Sequence, residues 1–100
     1  MNQANKTPSW LNVSAERVIV TLTKRSEANG VQVDSLCLRA PTVRDIRAAQ
    51  STANSDDEQR ELNLFASLAE VGIKDLEGLA LKDYSRLQAG YFRLVQDDEV

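Results

Sequence analysis

The chain has 100 residues, of which 42% are hydrophobic, so it can bury the core of one small domain but not of two. Its formal net charge of −3, from 12 basic and 15 acidic residues, disfavours a protein that binds duplex DNA by neutralising phosphates. The absence of His and the single Cys exclude His-dependent nucleophilic catalysis, an internal disulfide and a Cys-based zinc site. A reducing, cytoplasmic setting fits this composition, and no apolar run approaches the roughly 20 residues of a membrane span.

The charge is distributed unevenly. Residues 1–47 carry 7 bases and 4 acids, whereas residues 48–100 carry 5 bases and 11 acids. This pattern is typical of a solvated acidic helical face, and it would also orient a partner or a second copy of the chain. Arg39, Arg44 and Arg47 form a basic cluster without interleaved aromatic residues. It favours surface solvation or pairing with the acidic half, and a nucleic-acid-binding module is the weaker alternative.

The ends of the chain differ from its middle. Residues 1–15 are polar and predict a flexible N-terminal arm, in which Trp10 and Leu11 are the two residues able to dock on the domain. Residues 16–97 predict a single α+β domain. Residues 98–100 predict a frayed acidic tail.

The first predicted elements are two strands joined as a hairpin. Residues 17–23 are rich in β-branched side chains and alternate. The Asn29-Gly30 pair predicts the turn, because both residues tolerate a positive φ. The return strand covers residues 31–39. One face of the first strand carries Val18, Val20 and Leu22.

The return strand changes its alternation part-way. Val31 and Val33 have one parity, and Leu36 and Leu38 have the other. A bulge near Asp34-Ser35 would place all four apolar side chains on one face. Without a bulge, the two valines would lie on the exposed face.

Helices follow the hairpin. Thr42 is suited to cap the start of the first helix. Residues 55–58 match a capping box at the start of the second helix, and Gly72 is the predicted end of that helix. Residues 75–79 allow one further helical turn. The last helix is predicted over residues 82–97, where apolar residues recur on one face.

These elements predict an α+β fold, in which an N-terminal β-hairpin packs against about three α-helices. The predicted core is formed by apolar residues of both strands and all three helices. Its members are Val18, Val20, Leu22, Leu36, Leu38, Ile46, Leu62, Phe65, Leu68, Leu87, Tyr91 and Leu94.

No catalytic, cofactor-binding or metal-binding residues are predicted. Cys37, between two leucines of an alternating strand, is interpreted as a small strand residue rather than a nucleophile. Residues 56–58 are three adjacent carboxylates at a helix start, where they favour the positive end of the helix dipole and do not converge on one ion. The four glycines are scattered and form no phosphate-binding loop.

Phe92 lies off the apolar stripe of the last helix. It either packs beside the core on Leu81 or Ala89, or is an exposed anchor for a partner, since aromatic residues dominate interface hot spots. The second interpretation predicts a partner-binding surface formed by Phe92, Leu81, Ala89 and Arg93. With 5% aromatic residues and one Met, the chain would build such a surface mainly from Leu, Ile and Val, there or on the second face of the hairpin around Ile19.

The order of the short motifs resembles a known phage family. The junction LCLRAPTVRDIRA at residues 36–48 precedes LAEVG at 68–72, DLEGL at 75–79 and DYSRLQ at 83–88. Together they resemble the tail assembly chaperones of Mu-like contractile-tailed phages and prophages, over about residues 17–95. The most specific parts are Leu-Arg-x-Pro-Thr-x-x-Asp-Ile and the pair Asp-Leu-Glu-x-Leu and Asp-Tyr-x-x-Leu.

The resemblance implies a non-enzymatic protein. Such chaperones bind the tape measure protein and hold it until tail tube protein polymerises around it, in the cytoplasm of the bacterial host, and they are absent from the finished virion. A programmed frameshift often adds a longer product, whose extension would recruit tail tube protein. No cofactor, nucleic acid or membrane is implied as a partner, and self-association stays open. The alternative is a small phage or prophage regulatory protein-interaction module.

Overall fold

Residues 7–96, which the computed structural model describes, form a three-stranded antiparallel sheet followed by four helices. The strand order is β1-β2-β3, and the predicted α+β class is confirmed. The elements are β1 Leu11–Val13, β2 Arg17–Ala28, β3 Val31–Arg39, α1 Val43–Ser51, α2 Asp57–Ala69, α3 Ile73–Glu77 and α4 Leu81–Val95.

The strand β1 lies in the segment that the sequence predicted as a flexible arm. Leu11 pairs with Val20, and the Leu11 side chain is buried. Trp10 lies beneath the guanidinium of Arg86 from α4, 4.7 Å from ring centroid to Cζ. Pairing and stacking thus hold residues 10–13 of the predicted flexible arm, residues 1–15, on the domain. The first six residues of the arm lie outside the described part of the chain.

The hairpin contains the predicted irregularity, but the extra residues belong to β2. Thr21 pairs with Ser35 and Ser26 with Val33, so residues 22–25 face Asp34 alone. Leu36 and Leu38 lie in the core, and Val33 packs against it. Val31 nevertheless is 60% exposed, since it lies at the turn end of the hairpin.

Asp83, in the first turn of α4, holds the irregular segment. Its carboxylate is fully buried and accepts three hydrogen bonds. The Thr23 backbone N–H donates to Oδ1 at 2.7 Å, while the Thr23 hydroxyl and the Lys24 N–H donate to Oδ2 at 3.1 and 3.3 Å. Backbone groups that leave the sheet ladder at the bulge thereby regain a partner.

The start of α1 agrees with the prediction. Thr42 and Asp45 form a capping box, in which the Thr42 hydroxyl accepts from the Asp45 N–H and the carboxylate accepts from the Thr42 N–H. Asp45 is also held by both terminal nitrogens of Arg39, at 2.8 and 3.0 Å. The last residue of β3 and the first turn of α1 are thus tied together.

The bounds of α2 differ from the prediction at both ends. Asp56, not Ser55, is the N-cap, because Ser55 has φ 68° and its side chain makes no cap. The helix ends with Glu70 in the left-handed region at φ 57°, before Gly72. Gly72 instead precedes α3, whose Asp75 accepts from the Gly72 N–H.

The core lies between the inner face of the sheet and the helices, and every residue of the predicted core is buried or packed against it. The close approach of α4 to the sheet depends on Gly90, where a Cβ would lie 3.1 Å from Val20 Cγ2 and 3.2 Å from Leu11 Cδ1. No helix within residues 7–96 has the length and apolarity needed to cross a membrane. Leu11, Ala28, Ala49, Ala53, Leu64 and Leu76 are buried residues that the sequence prediction left out.

Acid is expected to weaken the β3–α1 junction. Hydrogen bonds hold the pKa of Asp45 well below its ordinary value of 3.8. The larger effect comes from the Arg39 guanidinium and the smaller from the Thr42 N–H. The stabilisation is therefore complete above that ordinary value and is lost as the pH falls toward the lower folded value. In urea melts, the difference between wild type and Asp45→Asn should narrow from pH 7 to about pH 2, and Arg39→Gln should behave alike. A difference of equal size at both pH values would contradict this.

Candidate functional site

The residues that carry the motif resemblance are structural. Asp45 ties α1 to β3, and Asp83 ties α4 to the bulge of β2. Asp75, in the first turn of α3, accepts from the Asn29 N–H at the hairpin turn, at 3.1 Å. Three helix starts are therefore fixed to the sheet by aspartates, and these carboxylates already have partners. We therefore look for a binding surface among exposed side chains elsewhere.

A groove lies between α2 and α4 and has a volume of about 600 Å³. We call it the α2–α4 groove. Its apolar lining comes from the side of each helix that flanks the core. The residues that form this lining are Leu62, Leu64, Phe65, Leu81, Tyr84 and Tyr91.

Aromatic rings and one carboxylate fix the floor of the groove. Phe65 packs against Tyr84 and Tyr91, with ring centroids 5.8 and 5.3 Å apart. The Tyr84 hydroxyl donates to Glu61 Oε1 at 2.7 Å, and Gln88 Nε2 donates to the same oxygen at 2.9 Å. The pKa of Tyr84 is raised, mainly because the phenol is buried and secondly because it is hydrogen-bonded to the negative Glu61 carboxylate. The phenol therefore stays a neutral donor that links the two helices at physiological pH.

One wall of the groove is acidic. Asp57 and Glu58 are adjacent in the first turn of α2 and Glu61 lies about one turn further along, with Arg60 as the one basic lining residue. Asp57 and Glu58 form no ion pair with another residue of the described chain. The groove thus combines an apolar floor with a negative wall.

Of the predicted partner-binding residues, Leu81 lines this groove, and Phe92 lies outside the lining but on the same side of α4 as Leu81. Leu81 and Phe92 are 82% and 64% exposed, so Phe92 is not a core residue. They are 11 residues apart, which puts them within about 20° on the same side of α4 and about 16 Å apart along its axis. Val95, also exposed, continues the same side and was missing from the prediction.

The other two predicted residues lie elsewhere on α4. Ala89 is exposed, about 60° around the helix from Phe92. Arg93 is half-buried and turns toward the N-terminal segment, where its Nη2 donates to the Thr7 hydroxyl at 3.5 Å. The surface suggested by the sequence is therefore not one patch, because Arg93 faces away from the groove.

The second face of the hairpin, which the sequence offered as an alternative binding surface, lies apart from the groove. Cys37 is exposed on the outer face of the sheet, opposite Ile19 in the pairing of β2 with β3. Within residues 7–96, no group of three or more His, Cys, Asp or Glu side chains is arranged to hold a metal ion. The α2–α4 groove and the exposed apolar residues beside it are thus the strongest candidate for a binding site.

A family model described as "Phage tail assembly chaperone proteins, E, or 41 or 14" matches residues 19–96. The chain belongs to this phage tail assembly chaperone family. The match extends from β2 through α4, and thus includes the hairpin and both walls of the α2–α4 groove. It confirms the resemblance found in the motifs. Searches of curated proteins and of solved structures give no significant match.

Proposed function

We propose that this chaperone binds the tape measure protein and holds it during tail assembly, without catalysing a reaction. The observation that carries the proposal is the exposed apolar side of α4, where Leu81 lines the α2–α4 groove and Phe92 and Val95 continue the same side of the helix. A long helical client presents apolar stripes, which such a groove can cover in the way helix-in-groove complexes do. Family membership supports a role in tail assembly.

The remaining parts of the proposal follow from the same role. The chaperone acts in the cytoplasm of the bacterial host, leaves before the virion is complete, and needs no cofactor or nucleic acid. A longer frameshifted product would bring tail tube protein to the held client through its extension.

Co-expression separates this function from its alternative. A tape measure chaperone should raise the soluble yield of tape measure protein and co-purify with it. A small regulatory interaction module should do neither. If the tape measure protein stays insoluble and unbound, the proposed partner is wrong.

Phe92→Ala tests the site itself. The side chain is 64% exposed, so its loss should leave the melting temperature nearly unchanged. Binding to a purified tape measure fragment should weaken by about 2 kcal/mol, about thirtyfold, because a central aromatic anchor is removed from the interface. Isothermal titration calorimetry measures the binding.

Val31→Ala is the matched control. It also removes an exposed apolar side chain, which is 60% exposed, but at the turn end of the hairpin. Its affinity should equal that of wild type. Equal losses of affinity in both variants, or no loss of affinity in Phe92→Ala, would show that the tape measure protein does not bind at α4.

A further inference from the structure

A second depression adjoins the α2–α4 groove on the side of α3. It has a volume of about 450 Å³ and shares Glu58, Leu62, Leu81 and Tyr84 with the groove. The residues that it adds are Asp56, Gln59, Leu76, Glu77 and Leu79. Because four residues line both, the groove and the depression form one continuous surface. We call this surface the extended groove.

The extended groove has the length and the lining to hold a helix. Its α4 side runs from Leu81 to Tyr91, which is about 15 Å or three helical turns. The backbone groups of α2 and α4 bond within each helix, so the groove offers side chains and not the free N–H and C=O groups that an added strand needs. An amphipathic helix, with its apolar stripe on the floor, is therefore the occupant that fits.

The charge of the extended groove lies on one side. The α4 side is lined by Leu81, Tyr84, Gln88 and Tyr91, none of which is charged. Arg60 is the one basic residue among the described residues that line the surface. The acidic residues all come from the side formed by α2 and α3, and they are Asp56, Asp57, Glu58, Glu61 and Glu77.

Most of these carboxylates can accept further hydrogen bonds. Asp56 is engaged as the N-cap of α2. Asp57, Glu58 and Glu77 are exposed and form no ion pair with another residue in the range 7–96. Glu61 receives both of its hydrogen bonds at Oε1, so its Oε2 is left to accept another donor. A partner's bases can thus bind here without breaking a contact within the chain.

The sign of the charge narrows the class of partner. Nucleic acids and anionic membranes carry phosphates, which this wall repels. Lys and Arg side chains on a docked helix would instead form charge-assisted hydrogen bonds with the carboxylates. Their long apolar stems would also cover Leu81, which is 82% exposed beside the wall.

From this arrangement, we propose that the extended groove selects basic amphipathic helices, so that the client segment it holds carries Lys or Arg along one side of its apolar stripe. Charge complementarity identifies this occupant. The inference rests on the proposed function, because it describes the segment of the tape measure protein that the chaperone would hold. Since the wall is one-sided, it also sets the direction of the client, whose bases reach the carboxylates in only one of two opposite orientations.

Two synthetic peptides of about 18 residues, or five helical turns, test the selection. Both carry the same leucine stripe, with glutamines on one side of it. The other side carries lysines in the basic peptide and glutamates in the acidic peptide. In fluorescence anisotropy at about 0.1 M salt, the basic peptide should bind about tenfold more tightly or better, and this preference should largely disappear at about 1 M salt, where charges act over only about 3 Å. Equal affinities at the lower salt concentration overturn the inference.

Reversal of the wall locates the selection. Glu58→Lys with Glu77→Lys places two bases on the acidic side of the extended groove and leaves Glu61 bonded to Tyr84 and Gln88. The acidic peptide should then bind more tightly than the basic peptide, by about tenfold. A variant that still prefers the basic peptide shows that the basic helix is not held at this surface.

The matched control makes the same charge change elsewhere. Glu27→Lys with Asp34→Lys alters the net charge by the same amount, on exposed residues of the hairpin. This variant should prefer the basic peptide as wild type does. If its preference also reverses, net charge governs the selection and the extended groove does not. Circular dichroism melts confirm that each variant is folded.

A tape measure fragment distinguishes this inference from the proposed function. A fragment that binds wild type should bind Glu58→Lys with Glu77→Lys about tenfold more weakly, and should bind the hairpin control equally well. If it binds all three proteins equally, the chaperone function stands and the extended groove is not the site of a basic helix. If no fragment binds wild type while the basic peptide is still selected, the proposed partner is wrong and the selection of basic helices stands.

Discussion

Asp83→Ala is expected to lower the free energy of unfolding by about 3 kcal/mol or more. The substitution removes three hydrogen bonds to a fully buried carboxylate. It leaves the backbone N–H groups of Thr23 and Lys24 without an acceptor, and each such loss costs about 1–3 kcal/mol. A domain has only about 5–15 kcal/mol in total, so this loss is a large share of its stability. Urea denaturation followed by circular dichroism measures the loss.

Two further variants keep this prediction specific. Asp83→Asn preserves the shape of the side chain but turns an amide NH2 toward backbone donors, so it should recover little of the loss. Asp34→Asn makes the same chemical change at an exposed position opposite the bulge, and it should stay within about 0.5 kcal/mol of wild type. If Asp83→Asn is as stable as Asp34→Asn, the carboxylate does not hold the bulge.

The role of Asp83 could have been suspected from the sequence. Asp83, Leu87, Gly90 and Leu94 recur at intervals of 4, 3 and 4, so the aspartate stands in phase with the buried side of α4. A charged residue on a buried stripe needs a partner. The sequence alone did not name that partner, because it is backbone at a bulge some 60 residues earlier.

The hairpin was predictable, whereas β1 was not. Alternation over residues 17–23 and the parity change in residues 31–39 place both strands and an irregularity near Asp34, but they do not show that β2 continues to Ala28 and carries the extra residues. The three residues of β1 carry no such pattern. They become a strand only because Val18 and Val20 offer them an edge and Gly90 lets α4 close over Leu11.

Some residues of the candidate site could also be predicted from the sequence, and others could not. Helical spacing places Leu81 and Phe92 on one side of α4 once the helix is known to begin at Leu81. The same spacing turns Arg93 about 100° away from Phe92, and only the tertiary fold shows that Arg93 reaches Thr7. The sequence predicts a helix start at residues 56–58 and an acidic face that could orient a partner, but it does not show that Glu61 faces α4, because that relation depends on tertiary packing with Tyr84.

The last helix also contains a matched test of the core. Leu87→Ala should lower the free energy of unfolding by about 2–5 kcal/mol, the usual range for a buried leucine truncation. Leu87 is fully buried between the sheet and the helices. Its truncation leaves a cavity that the fixed strands of the sheet cannot close. Thermal and urea unfolding of the variant measure this loss.

Leu81→Ala is the same chemical change on the same helix, six residues earlier, at a side chain that is 82% exposed. It should change the free energy of unfolding by no more than about 0.5 kcal/mol. The helix propensity of alanine applies to both substitutions, so the difference between the two variants isolates burial. If Leu87→Ala and Leu81→Ala unfold at the same urea concentration, α4 does not pack on the sheet through the side that carries Leu87.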